Sequence, residues 1–166
     1  MDTLRSLYAY NAWANARVFA VCRDIDQPRL EAQAPGTYGT IARTLQHLVV
    51  VEDAYIHMLL GDSLERVESR EDHDVGWFAD RSAQLGREYP DLLANAGESF
   101  YADALVIPWF DFTLTKHDGL LQVLSHSAQH RAQVLSIVGA RGQEVPDLDY
   151  VLYVEEQAAG KSGERA

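Results

Sequence analysis

The sequence predicts an all-α fold, a four-helix bundle with a long, hairpin-capable connection before its last core helix. Three observations carry this expectation. Apolar residues recur at three- and four-residue spacing in four separate stretches. Those stretches start and stop on capping and breaking residues. One region, residues 100–115, abandons the helical period for β-branched and aromatic residues. The 166-residue length suits a single domain with one hydrophobic core, expected over 1–157, followed by a flexible tail over 158–166.

The first helix is expected from about Asp2 to Asp24, with Leu4, Leu7, Tyr8, Ala14, Val18, Val21 and Cys22 on one stripe. Asn11 and Asn15 share that stripe. Buried amides need hydrogen-bond partners, so these two either line something polar or mark the edge of the stripe, and an edge facing water is the plainer reading. Gln27-Pro28 and Ala34-Pro35-Gly36 interrupt the chain. Thr40 then offers an N-cap for a second helix reaching Leu60, with Ile41, Leu45, Leu48, Val51, Tyr55, Met58 and Leu59 inward and Gly61 as the stop. Residues 63–74 are dense in charge and read as a solvated loop.

A third helix is expected from about Val75 to Gly97, kinked or split at Pro90. Over 100–115 the chain is expected to extend, with Pro108 confining any strand to an edge. Thr115 and Asp118 then form a capping-box-like start for a fourth helix. Its face is Leu120, Val123, Leu124, Ser127, Val134 and Ile137, running to Gly139 or Gly142. A short last helix is expected from Leu148 to Gln157. Four such helices form a bundle with one crossover, an architecture that builds metal sites from facing helices.

Composition narrows the function. Apolar residues make up 47% and charged residues 23%, ordinary values for a globular protein. The net charge of −11 comes from 25 acidic against 14 basic side chains, and no stretch supplies the basic face that phosphate recognition needs. Nucleic acid and anionic membranes are therefore not expected as partners, and a small molecule or metal ion is. Cys22, the single cysteine, excludes an intrachain disulfide and sits on an apolar stripe as packing. The N-terminus lacks the pattern of a secretory signal, so the expected location is the cytoplasm.

Six histidines carry the chemistry: His47, His57, His73, His117, His126 and His130. His126 and His130 stand four apart, one turn along one helix face, a spacing that lets two imidazoles reach one metal ion. With six histidines in the chain such a pair can arise by chance, so position matters more than spacing. Both follow the bundle-facing stripe of the fourth helix, and His47 borders that of the second. Unpartnered imidazoles in such places each need compensation, which a shared divalent metal at His47, His126 and His130 provides. His57, His73 and His117 read as surface or capping residues.

At this level the chain resembles the DinB-like (DinB/YfiT) family. The residues that carry the resemblance are Tyr8-Ala9-Tyr10-Asn11-Ala12-Trp13-Ala14-Asn15, Thr40-Ile41-Ala42-Arg43-Thr44-Leu45-Gln46-His47-Leu48 and Ser125-His126-Ser127-Ala128-Gln129-His130-Arg131-Ala132-Gln133, with Gly139, Pro146 and Asp149 trailing. The resemblance implies an up-down-down-up bundle, often a homodimer. It also implies zinc or nickel on His47, His126 and His130, and Ala132 stands where the family usually has glycine.

Three neutral imidazoles leave a coordination position open, the layout of a catalytic site. Hydrolysis would want a carboxylate base, and Glu52 and Asp53, the nearest in sequence to His47, do not fall cleanly on its face. A thiol needs no base once a metal holds it. The resemblance also points to relatives that use low-molecular-weight thiols. Metal-dependent thiol S-transfer and metal-dependent hydrolysis are the two enzymatic expectations, and a non-catalytic metal-binding stress-response protein is the alternative.

Overall fold

The computed structural model describes residues 2–68 and 73–163. Helix α1 (Asp2–Arg23) leads through a short α2 (Gln27–Leu30) to α3 (Ile41–Leu60). After a helical turn, α4 (Glu65–Glu68), comes α5 (Val75–Asn95). A 3-10 turn (Glu98–Ala102) precedes strands β1 (Ala104–Ile107) and β2 (Phe112–Thr115), and then α6 (Lys116–Ala140) and α7 (Tyr150–Gly163) follow.

The long helices α1, α3, α5 and α6 are the expected four-helix bundle, and their directions follow from their contacts. Arg5 of α1 donates to the Leu93 carbonyl of α5, while Asn15 further along α1 meets Ser82 near the start of α5, so the two run antiparallel. Tyr8 donates to the Leu120 carbonyl, whereas Asn11 and Asn15 meet Arg131, so α1 and α6 run parallel. On α3, His47 meets His126, and Tyr55 lies against Gly119, so α3 opposes α6. The chain order is therefore up, down, down, up.

The helix boundaries have local causes. Thr40 Oγ1 accepts from the Arg43 amide at the start of α3, and Gly61 ends that helix in the left-handed region at φ 78°. Thr115 and Asp118 complete both halves of a capping box on α6. Leu45, Leu48, Phe78, Leu85, Leu93, Leu120, Val123 and Ile137 fill the core from α3, α5 and α6.

Several expectations are corrected. Pro90 lies inside one continuous α5, so the helix is not split there, and Tyr89 and Leu93 on either side of it are buried in the core. The hairpin that the sequence allowed within 100–115 is present over 104–115, where Ala104 pairs with Thr115 and Ile107 with Phe112; Pro108 falls in its turn, not on an edge strand, so no strand bond is asked of it. The charged stretch 63–74 is not all loop, since Val67 on α4 is buried; residues 69–72 lie outside the described residues. The tail expected over 158–166 is helical as far as Gly163, and 164–166 lie outside the described residues. Ala158 and Ala159 favour helix. Tyr150 and Glu156 also fasten α7 to Ser6, Trp13 and Arg17 of α1.

Asn11 and Asn15 do not face water. Both are buried, and both belong to a polar cluster in the middle of the bundle. Glu52 accepts from Asn11 Nδ2 at 2.8 Å, Asn15 Nδ2 at 3.0 Å and Ser127 Oγ at 2.6 Å. The Arg131 guanidinium closes the other side by donating to the Oδ1 atoms of Asn11 and Asn15. A buried carboxylate and a buried guanidinium are thus bridged by two amides, with polar valences matched. Among the described residues no helix is long and apolar enough to cross a membrane.

Candidate metal centre

His47 sits on α3, seven residues in from its Thr40 cap, and His126 and His130 sit one turn apart on the facing stretch of α6. The structure brings all three rings together: one ring nitrogen from each lies within 4.8 Å of the others. The Nε2 atoms of His47 and His126 are 3.1 Å apart. Two nitrogens bound to one ion at about 2.0–2.1 Å, in tetrahedral or octahedral geometry, stand roughly 2.9–3.4 Å apart, so that separation fits a shared ion. The donor set fits as well, because neutral imidazole suits divalent transition metals. His126 Nδ1 is buried and has no hydrogen-bond partner, so the pocket does not satisfy this ring by protein contacts alone.

The electrostatics favour the neutral rings that ligation requires. Burial, followed by the neighbouring His130 and Arg43, pushes His47 down to about 4. Burial, then His130 and His47, pushes His126 down to about 3. His130 is lowered by burial and partly restored by its bond to Gln133.

Gln133, one turn after His130, organises one side of the site. Its Oε1 accepts from His130 Nδ1 at 2.8 Å, which leaves the Nε2 lone pair of that ring free. The same oxygen accepts the Tyr38 amide, and Nε2 of Gln133 donates to the Gly36 carbonyl. Gly36 adopts φ 83°, a left-handed turn open to glycine, and this carries the loop back over the rings. Tyr38 then stacks on His47 with ring centroids 3.9 Å apart and meets His130 edge-on at 5.4 Å.

The other flank of His47 is apolar. A cleft of about 580 Å³ opens there between Val50, Val51 and Ala54 of α3, Val67 of α4, and Pro108 and Trp109 of the hairpin turn. No carboxylate lines it among the described residues. Glu52 points instead into the central polar cluster. Asp53 faces α5, where it accepts from Arg81 at 2.6 Å.

The remaining histidines stay outside this group. His57 lies in the last turn of α3, mostly covered, 3.4 Å from Asp53 and 3.5 Å from Asp62. His73 stacks on Trp77, and His117 is exposed beside Asp118. Sequence reasoning missed Tyr38, Gln133 as a partner of His130, and the Glu52–Arg131 cluster. Of these only Gln133 gave a signal, the three-residue spacing that places it over His130.

Comparison with known proteins identifies the family and supports the fold. The family model described as "DinB family" matches residues 1–164. Protein DinB of Bacillus subtilis (strain 168) is 21% identical over 162 residues, covering 92% of this chain and 94% of that one. A DinB-like protein from Bacillus cereus ATCC 10987 superposes with a TM-score of 0.71 at 15% identity, over 89% of this chain and 96% of its own. YfiT from Bacillus subtilis, described as a probable metal-dependent hydrolase with an unusual four-helix bundle topology, gives 0.68 at 14% identity, over 87% and 90%.

Proposed function

Because the chain belongs to the DinB family, we propose that it is a metal-dependent enzyme whose His47, His126 and His130 hold zinc or nickel and activate a low-molecular-weight thiol for transfer to a small-molecule acceptor. One observation carries the choice of a thiol. Among the described residues no carboxylate joins the three imidazoles, and Glu52 is turned into the central cluster, where it accepts from Asn11, Asn15 and Ser127. A divalent ion supplies Lewis acidity, which is enough to ionise a thiol of pKa near 8.5 without a dedicated base.

The chain's own residues do the rest. Burial keeps the imidazoles neutral and their lone pairs available. Gln133 fixes which nitrogen of His130 is presented. Tyr38 shields one side of His47 from water, and the apolar cleft leaves the other side for the acceptor. Hydrolysis is the second reading, favoured by the description of YfiT.

The test begins with elemental analysis of tag-free protein and of His47→Ala, His126→Ala and His130→Ala. Zinc- and nickel-loaded protein is then assayed for conjugation of small thiols to an aryl halide and for cleavage of nitrophenyl esters. Metal-dependent conjugation lost in each variant supports the thiol reading, and ester cleavage alone moves the assignment to hydrolysis. Bound metal without turnover of either class makes the protein a non-catalytic metal binder. No metal after reconstitution overturns the centre itself.

A further inference from the structure

We infer that the cleft beside His47 is the binding site for an uncharged alkyl or aryl group, the body of the acceptor whose reactive end meets the three histidines. Val50 and Val51 stand three and four residues after His47, and Ala54 four and three after them, so the four form one stripe along α3. This stripe borders the core stripe of Leu45, Leu48 and Leu59, and Val51, expected inward from the sequence, sits at that border half-buried. Val50 and Val51 pack against the core yet stay half-buried, so each keeps apolar surface turned to the cleft.

The opposite wall is built from the hairpin. Pro108 and Trp109 occupy its turn, where Asp111 takes φ 46°, and Tyr55 meets the indole edge-on at 6.1 Å. Trp109 nevertheless stays 46% exposed, an aromatic face turned to an open space of ligand size. At about 580 Å³ the cleft falls within the range of small-molecule sites. Among the described residues no charged side chain lines it, so a charged group there would find no described countercharge to offset its desolvation. The polar recess on the far flank of His47, by Tyr38 and Arg43, measures about 80 Å³, too little for the body of such a ligand.

The identity of this group as part of an acceptor rests on the proposed metal chemistry, but its binding does not, so the test is run on chelator-treated protein and repeated after zinc loading. N-phenyl-1-naphthylamine, neutral and fluorescent in apolar surroundings, serves as the probe, and straight-chain alcohols from butanol to octanol displace it. Saturable one-to-one binding is expected, with alcohol affinity rising about fourfold per methylene until the cleft is full. Val51→Asp and Trp109→Ser should each weaken the probe by about tenfold or more while far-UV circular dichroism stays unchanged. Phe110→Ser, at a 72% exposed residue on the outer side of the same turn, should leave binding as it was. A flat response to chain length, or loss of binding in Phe110→Ser with none in Val51→Asp, overturns the inference. Failure of the metal centre would appear separately, as absent zinc by elemental analysis with alcohol binding intact.

Discussion

Replacing Glu52 by Gln tests whether the buried polar cluster is a matched set. In the native chain the carboxylate accepts from two amide groups and a hydroxyl, while Arg131, 3% exposed, finds its countercharge through Asn11 and Asn15. Gln keeps the shape but removes the charge and points an amide at donors already converging on that position. Arg131 is left buried and uncompensated, and at least one donor loses its acceptor. Breaking a buried ion pair from one side costs about 3–5 kcal/mol. Against total stabilities of about 5–15 kcal/mol that is a large fraction, and at about 2–4 °C per kcal/mol the melting temperature should fall by roughly 6–20 °C. Urea unfolding of metal-free protein, followed by circular dichroism, measures the loss directly. The Glu52→Gln/Arg131→Met double variant should recover part of it, because both charges leave together. A single variant within about 1 kcal/mol of wild type would refute the claim that Glu52 and Arg131 are coupled through the asparagines.

Three further outcomes are expected. Gln133→Ala should weaken zinc binding by about ten- to a hundredfold in a competition titration, since it frees the Nδ1 side of His130 and the Tyr38 loop together. Metal-free protein should lose stability as pH falls from about 6.5 towards 4. The unfolded chain takes up protons on His47 and His126 over that range, whereas the folded chain refuses them until about 4 and about 3. Urea midpoints at pH 7 and 5.5 should therefore differ less in a His126→Leu variant, and an equal difference would count against the shift. Cys22 is buried with its thiol pushed up to about 12, so a disulfide reagent should leave native protein unlabelled and react fully in urea.

Features encoded over a few neighbouring residues could be read from the sequence. Thr40, Gly61, Thr115 and Asp118 marked helix ends because capping is a matter of three or four residues. The β-branched and aromatic residues within 100–115 marked the extended, hairpin-capable connection for the same reason. The three histidines were found because two share one helix face and the third borders a core stripe. What stayed hidden depends on pairings across long stretches of chain. Asn11 looked like an edge residue because nothing near it in sequence discloses Glu52 or Arg131, 41 and 120 positions away. Tyr38 sits in a loop with no periodicity, and its place over His47 follows from a turn at Gly36 and an amide on α6. The last helix outran its expected end because contacts with α1 hold it, and those contacts are tertiary.

The central cluster also bears on the order in which the bundle can be completed. Its members come from α1, α3 and α6, and the guanidinium that balances Glu52 belongs to α6, the last of the four to leave the ribosome. A nascent chain holding only α1, α3 and α5 can bring Asn11, Asn15 and Glu52 together, but closing them away from water would strand a carboxylate without its counterion. Early association of these helices is therefore held in a loose, hydrated form, and tight packing waits for Arg131. Hydrogen exchange on a chain truncated before residue 116 should show α3 amides exposed, while in the whole chain those amides should open only with global unfolding.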